Sequence, residues 1–288
     1  MKRMVYICSI IVCCTVLCSC SENEERRLDN NVEPDVEVMS FNIRYSGGDT
    51  GEHSWENRKA ACLSVIQINN PDLIGMQEVR PDQKAWFDSN LSEYRSIGLP
   101  RDASGLNAES TNIYYRTDKF TLLDSCTFWL SETPDVMSKG WDGACFRVCT
   151  WCKLRLNDTG KEIFFFNTHI DHKGEEAKNQ GILLVQKKIN EIAGENACVF
   201  LTGDFNLEPA NSNIIAFGKF MDCAREQFPD GSQINMGTYN NWGSASTIID
   251  YIWYRNSLPA YYKVVKGKYE GVYYFSDHFP IMAGFALN

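Results

Sequence analysis

Residues 199–206 read VFLTGDFN, an apolar run that stops at Thr202-Gly203 and sets Asp204 and Asn206 two residues apart. Successive apolar positions without alternation are those of a strand covered on both faces, so layers must pack on either side of it. If the backbone stays extended, the period of two points Asp204 and Asn206 the same way at the strand's mouth. A polar turn closing the strand would leave the same four letters G-D-x-N. What decides between a turn and a site is whether other strands in the chain end alike.

They do. Residues 36–43 (VEVMSFNI) fit a strand with two partly buried faces that ends at Asn42-Ile43-Arg44 and a Gly-rich loop. A second short strand over 73–76 delivers Gln77-Glu78, and one over 162–166 ends in Asn167-Thr168-His169-Ile170-Asp171-His172. The strand predicted over 248–254 carries Asp250 between Ile249 and Tyr251, where a carboxylate is costly unless paired or used. The last strand, 280–287, is entered from Ser276-Asp277-His278. Three of the chain's four histidines fall in these clusters, a concentration that separate turns and caps do not explain.

Between the strand ends the pattern supplies helices and hairpins. Ser54 is placed to cap a helix over 55–69 that Pro71 ends, and Ile182, Val185, Ile189 and Ile192 give the 175–192 segment helical spacing up to Gly194. Further helices are predicted over 82–91 and 213–220, and strands over 94–97, 112–116, 120–129 and 145–156. Asn157-Asp158-Thr159-Gly160 reads as a hairpin turn, and the polar residues 100–110 as a loop on the active face. Helices alternate with strands early, hairpins follow, and strands close the chain. Two packed sheets with outer helices, a single α/β sandwich, accommodate that order better than one parallel sheet.

The first segment stands apart. Lys2 and Arg3 precede an apolar run over 5–18 that is too short to cross a bilayer and is laid out as a secretory leader. It closes on Leu17-Cys18-Ser19-Cys20, which resembles a lipobox. The reading is a leader over 1–19, a lipidated Cys20, an acidic tether over 20–34 and a domain over 35–288. The expected location is the outer membrane, facing the periplasm or the cell surface, as a lipid-anchored monomer. Loss of the leader leaves 26 Lys and Arg against 37 Asp and Glu, a net charge of −11, which argues against tight binding of duplex nucleic acid. Besides the lipidated Cys20, seven cysteines remain (Cys62, Cys126, Cys145, Cys149, Cys152, Cys198, Cys223), an odd number that cannot all pair. A strand through Cys145, Cys149 and Cys152 points the first two away from the third, which disfavours a zinc site.

Six stretches, SFNIR (40–44), GMQEV (75–79), NTHIDH (167–172), TGDFN (202–206), IIDYIW (248–253) and SDHFP (276–280), together resemble the exonuclease-endonuclease-phosphatase superfamily, which has the deoxyribonuclease I fold. HSWENRK (53–59) and TFWLSETPD (127–135) are similar to a bacterial subgroup related to the deadenylase-like branch. The resemblance implies a four-layer α/β/β/α sandwich, two mixed or antiparallel sheets face to face, and metal-dependent hydrolysis of a phosphoester, a phosphodiester before a monoester. It implies Glu78 holding Mg²⁺ or Mn²⁺ with Asn42 and Asp277, oxygen ligands that suit such ions. His278 is then the general base oriented by Asp250, Asp204 positions or deprotonates the water, and Asn206 donates to the phosphoryl oxygens. His169 is a second donor, oriented by Glu109; Arg147 is either a phosphate ligand or a salt-bridge partner; Asp171 and His172 are unassigned. Where the subgroup reads Glu-Tyr this chain reads Glu109-Ser110, so an aromatic contact is missing from the substrate pocket. The rival function is a catalytically silent surface module binding carbohydrate or protein through Trp141, Tyr239 and Trp242, against which the presence of Glu78, Asp204 and His278 together argues.

Overall fold

The computed structural model describes residues 32–229 and 233–288, so the leader, Cys20 and the tether as far as residue 31 lie outside the described residues. Twelve strands and four α-helices follow in the order β1 (Val36–Asn42), α1 (Trp55–Asn69), β2 (Leu73–Val79), α2 (Pro81–Asn90), β3 (Tyr94–Ile97), β4 (Ser110–Arg116), β5 (Phe120–Trp129), β6 (Val148–Leu156), β7 (Glu162–His169), α3 (Glu175–Ala193), β8 (Cys198–Asp204), α4 (Ser212–Phe217), β9 (Asp222–Cys223), β10 (Asp250–Arg255), β11 (Ser257–Val264) and β12 (Ile281–Leu287). They form two six-stranded sheets, ordered β11-β12-β1-β2-β4-β3 and β5-β6-β7-β8-β10-β9. The pairs β1/β2 and β7/β8 are parallel and the remainder antiparallel, so each sheet is mixed. Among the described residues no helix is long and apolar enough to cross a membrane.

The continuous apolar strands have the two covered faces their sequence requires. In β7, Ile163 and Phe165 face the core shared with the other sheet, while Phe164 and Phe166 face α3 and α4. β8 alternates in the same way, Phe200 inward and Val199 and Leu201 outward. Ile182, Val185 and Ile189 of α3 and Ile214 and Phe217 of α4 close the outer side, and Ala61, Cys62, Val65 and Ile66 of α1 are buried with the first sheet. The result is the four-layer α/β/β/α sandwich.

Toward the end of the strands that carries the acids, the seam between the sheets turns polar. Asn167 of β7 donates to Met76 O (2.8 Å) and Asn112 O (2.9 Å) of the opposite sheet and accepts from Gln77 Nε2 (2.7 Å) and Thr202 Oγ1 (3.1 Å). Gly75 makes room for this contact: a Cβ there would overlap Thr202 Oγ1 and the Asn167 amide. From α1, the fully buried Arg58 donates to Ile43 O, Arg44 O and Phe275 O, tying the loop after β1 to the segment that leads into β12.

Several elements depart from the sequence expectation for local reasons. β6 begins at Val148, because Cys145 N donates to Asp171 Oδ2 (3.1 Å) and stays in the loop. Cys149 and Cys152 do face opposite layers, and all seven cysteines among the described residues are free. β11 is unforeseen, since Pro259 lacks the donor a strand interior needs; it is accommodated at the sheet's edge, where the register slips between Pro259 and Tyr261. Ser54 stands at the N-cap of α1 but its side chain makes no capping bond.

Replacing Asn167 with Leu removes the donors to Met76 O and Asn112 O and the acceptor shared by Gln77 and Thr202 in the sheet seam. The expected loss is about 3 kcal/mol. Urea unfolding checks it as a lowered midpoint at constant m.

Candidate active site

Strand direction decides where the polar ends meet. β1 ends at Asn42 and β2 runs through Glu78; β12, antiparallel to β1, is entered from Asp277-His278, and β4, antiparallel to β2, from Glu109. In the second sheet β7 and β8 end at His169 and Asp204, while their antiparallel neighbours β6 and β10 begin just after Arg147 and at Asp250. Two rows therefore face each other, Asp277–Asn42–Glu78–Glu109 and Asp250–Asp204–His169–Arg147. Between them lies a polar cavity of about 530 Å³ lined by Glu78, Glu109, Arg147, His169, Asp204, Asn206, Asp277 and His278, with Asn42 and Asp250 bonded directly to residues of that lining. All ten pocket residues named from sequence come together.

At the acidic end of the rows, His278 Nδ1 lies 2.8 Å from Asp250 Oδ2, and its Nε2 faces Asp204 Oδ2 at 3.6 Å. Burial alone would lower the His278 pKa, but Asp250, with Asp204 and Asp277, outweighs it and pushes it up to about 10. Burial, and then the charge of Asp250, holds the Asp204 carboxyl well above the usual carboxylate range; burial raises Asp277 too, against the opposing His278. Tyr239 packs its ring 5.0 Å from the His278 ring.

Glu78 is presented by a break in the sheet. Its φ is 63°, and pairing with β4 skips from Met76 to Val79. Such a bulge re-aims one side chain at the expense of backbone strain. The carboxylate accepts from Asn42 Nδ2 (3.2 Å) and Tyr45 N (3.1 Å), and Asn42 also donates to Asp204 Oδ2 (3.0 Å). These contacts test whether a divalent cation fits. Glu78, Asp204 and Asp277 bring hard oxygen donors into one corner, and burial together with the Glu78 charge raises the proton affinity of both Asp204 and Asp277, as expected of a site that takes positive charge. Asp204, Asp250 and His278 also bring one ligand atom each within 4.8 Å of one another. With Nδ1 spent on Asp250, that group is arranged as an oriented base, and the all-oxygen corner at Glu78 is the better match to Mg²⁺ or Mn²⁺.

Three roles expected from sequence differ in the structure. The backbone does not stay extended beyond Asp204: Asn206 has a φ of 51° and its N–H folds back onto Asp204 Oδ1 (2.9 Å). Its amide reaches the cavity through that turn and spends both protons inside the protein, on Ile170 O and His169 Nε2, each at 3.0 Å. Because an amide nitrogen only donates, His169 Nε2 is the acceptor, not a free donor. Burial, with Arg147 and Arg101 nearby, keeps His169 neutral, and its Nδ1 has no partner among the described residues. Glu109 does not orient that ring either: Arg101 Nη1 and Nη2 hold both its oxygens at 2.6 and 2.9 Å.

Arg147 is a salt-bridge partner that also lines the cavity. It faces Asp171 (Nε to Oδ2, 3.7 Å) and His172 (Nη2 to Nδ1, 3.0 Å). Sequence reasoning missed Arg44, Arg80 and Arg101, which line the same cavity. Each sits beside a stretch already singled out: Arg44 ends SFNIR, Arg80 follows GMQEV, and Arg101 lies in the 100–110 loop. Of the aromatics assigned to a binding surface, Tyr239 lines the cavity; Trp242 instead stacks on His53 with centroids 4.2 Å apart.

Comparison with known proteins agrees with this geometry. The model of the Endonuclease/Exonuclease/phosphatase family matches residues 39–278. An endonuclease/exonuclease/phosphatase from Bacteroides vulgatus is 33% identical in structure-based alignment, with a TM-score of 0.81, covering 89% of this chain and 100% of its own. A mannosyl-6-phosphatase from Bacteroides thetaiotaomicron is 32% identical with a TM-score of 0.79, covering 88% and 100%. Among curated sequences, the CCR4-Not complex 3'-5'-exoribonuclease subunit Ccr4 of Aspergillus niger is 21% identical over 92% of this chain and 54% of its own length, so the chain spans about half of that relative. The chain belongs to the endonuclease/exonuclease/phosphatase family, whose members are hydrolases of phosphoesters.

Proposed function

We propose that this chain is a divalent-cation-dependent hydrolase of a small phosphoester. The observation that carries the reading is the His278–Asp250 pair, 2.8 Å apart, aimed past Asp204 toward the oxygen-rich corner of Glu78, Asn42 and Asp277 across one bounded cavity. Held by Glu78 and Asp277, with Asp204 and Asn42 beside them, the cation would polarise a phosphoryl oxygen and offset charge in the transition state. His278 Nε2, relieved of the part of its raised pKa that comes from Asp204 and Asp277, would then be free to accept a proton while Asp250 keeps the ring oriented. His278 then takes the proton of a water that Asp204 positions, the water oxygen bonds to phosphorus, and the ester oxygen departs and takes up a proton. Arg147, whose Nη1 has no hydrogen-bond partner among the described residues, supplies a donor to the phosphoryl oxygens.

The cavity volume of about 530 Å³ is that of a small-molecule site. It favours a monoester of a compact group over the diester expected from sequence, as does the likeness to the mannosyl-6-phosphatase. The names of the exoribonuclease relatives keep a short oligonucleotide diester as the second reading. Lipid anchoring through Cys20 at the outer membrane, on a monomer, belongs to the same proposal and is supported by the LCSC stretch.

His278→Ala is expected to lower kcat on p-nitrophenyl phosphate by roughly 10²- to 10⁴-fold in Mg²⁺ or Mn²⁺ while the circular dichroism spectrum is kept. Turnover that survives both this change and chelation by EDTA would return the chain to the binding-module reading. For the cation site, isothermal titration of Mn²⁺ should show Glu78→Gln binding at least tenfold more weakly than the wild type; equal affinity moves the ion elsewhere. Parallel assays with bis-p-nitrophenyl phosphate rank diester against monoester. Labelled palmitate should enter the wild-type chain in a lipoprotein-competent bacterial host and be absent from Cys20→Ala.

A further inference from the structure

The cavity is electrically lopsided. Asp277, Asp204 and His278 occupy the end under β12, β1, β8 and β10, Glu78 and His169 the middle under β2 and β7, and Arg101, Arg147 and His172 the end under β4 and β6; Arg44, 3.6 Å from Asp277, and Arg80, donating to Ser46 O, line the side formed by the loop after β1. The cationic end is nonetheless compensated. Both Nη atoms of Arg101 are paired with the Glu109 oxygens at 2.6 and 2.9 Å, and Arg147 Nε faces the Asp171 carboxylate at 3.7 Å. Asp171 is itself fixed, accepting from the backbone N–H groups of Cys145 (3.1 Å), Lys173 (2.9 Å) and Gly174 (2.9 Å). This wall is rich in donors and acceptors and carries almost no net charge.

His172 stands at its rim with a defined tautomer. A guanidinium only donates, so the 3.0 Å contact from Arg147 Nη2 makes His172 Nδ1 the acceptor and puts the ring proton on Nε2. The imidazole is exposed and lines the cavity, which leaves that N–H for a ligand. Position adds a direction. In-line displacement sends the leaving oxygen away from the water that His278 activates. From β10, beside His278, to β6, beside Arg147, is three strand spacings, ~14 Å, room for a phosphate and one ring of atoms beyond it.

We infer that the Arg101/Glu109, Arg147/Asp171 and His172 wall is a recognition subsite for a neutral, hydroxyl-bearing leaving group, such as the sugar of a hexose phosphate, with His172 Nε2–H donating to one of its hydroxyl oxygens. A second phosphate or a nucleotide backbone would meet guanidiniums already paired with carboxylates at this wall, Arg80 being turned away to Ser46 O (2.6 Å), while hydroxyls find the Arg147 and His172 donors beside the Glu109 oxygens. The inference rests on the hydrolase reading above and deepens it to a substrate class.

The test compares wild type, His172→Ala and His172→Gln on glucose 6-phosphate and mannose 6-phosphate, on p-nitrophenyl phosphate, whose leaving group has no hydroxyl beyond the ester oxygen, and on a dinucleotide diester. One lost hydrogen bond predicts that His172→Ala lowers kcat/KM for a hexose phosphate about five- to tenfold more than for the aryl ester, mostly through KM. His172→Gln, which keeps an N–H donor, should restore part of the difference. Equal losses on the two ester types, no loss on either, or no rescue by Gln overturns the subsite and leaves the hydrolase standing. A wild-type kcat/KM higher for the dinucleotide than for both hexose phosphates overturns it as well. No turnover of any ester by the wild type removes the hydrolase reading and the subsite with it.

Discussion

Everything chemical in this protein depends on how closely two sheets are held. The proposed base and its orienting acid come from both, His278 from the entry to β12 and Asp250 from β10, and Asn42 of β1 donates to Asp204 of β8 across the gap (3.0 Å). An apolar seam alone fixes separation loosely, because side chains of similar volume can slide past one another. Asn167 adds direction: its amide grips β2 and β4 by their carbonyls and takes protons from Gln77 and Thr202, and Gly75 lets it come close enough to do so. The next residues along those strands include Glu78 and His169, so the polar cluster is the platform on which the two halves of the site are registered.

The second governing feature is the crowding of carboxylates. Asp204, Asp250, Asp277 and Glu78 share one buried end of the cavity, and the repulsion is taken up by holding protons on His278 and near Asp204. The divalent ion proposed above would relieve that repulsion. The arginines at the other end do not cancel it, since each has its own acid: Arg101 has Glu109 and Arg147 has Asp171.

Much of this was legible in the sequence, and the limits have physical causes. Strands buried on both faces announce themselves by unbroken apolar runs, so β7 and β8 could be placed and their terminal His169 and Asp204 recognised. The α/β sandwich followed from the order of elements. Hydrogen-bond partners were not legible, because they depend on which neighbour is nearer by a few tenths of an ångström. Glu109 was expected beside His169 and is bound by Arg101. Asn206 was expected to point along an extended strand, and a left-handed residue turns it onto His169. β11 was hidden by Pro259, which is tolerated only because the strand lies at an edge.

The pairing of β1 with β12 joins the beginning and end of the folded body. Leu287 N donates to Asp35 Oδ2 (2.7 Å) and Asp35 N to Phe285 O (2.8 Å), at the end of β1 remote from Asn42. With about 3.3 Å per residue along the seven residues of β1, that end is roughly 20 Å from the catalytic mouth. Whatever precedes Val36 thus enters the body at the pole opposite the cavity. The two ends of the folded body therefore meet away from the mouth, and neither lies across the path of a solute entering it.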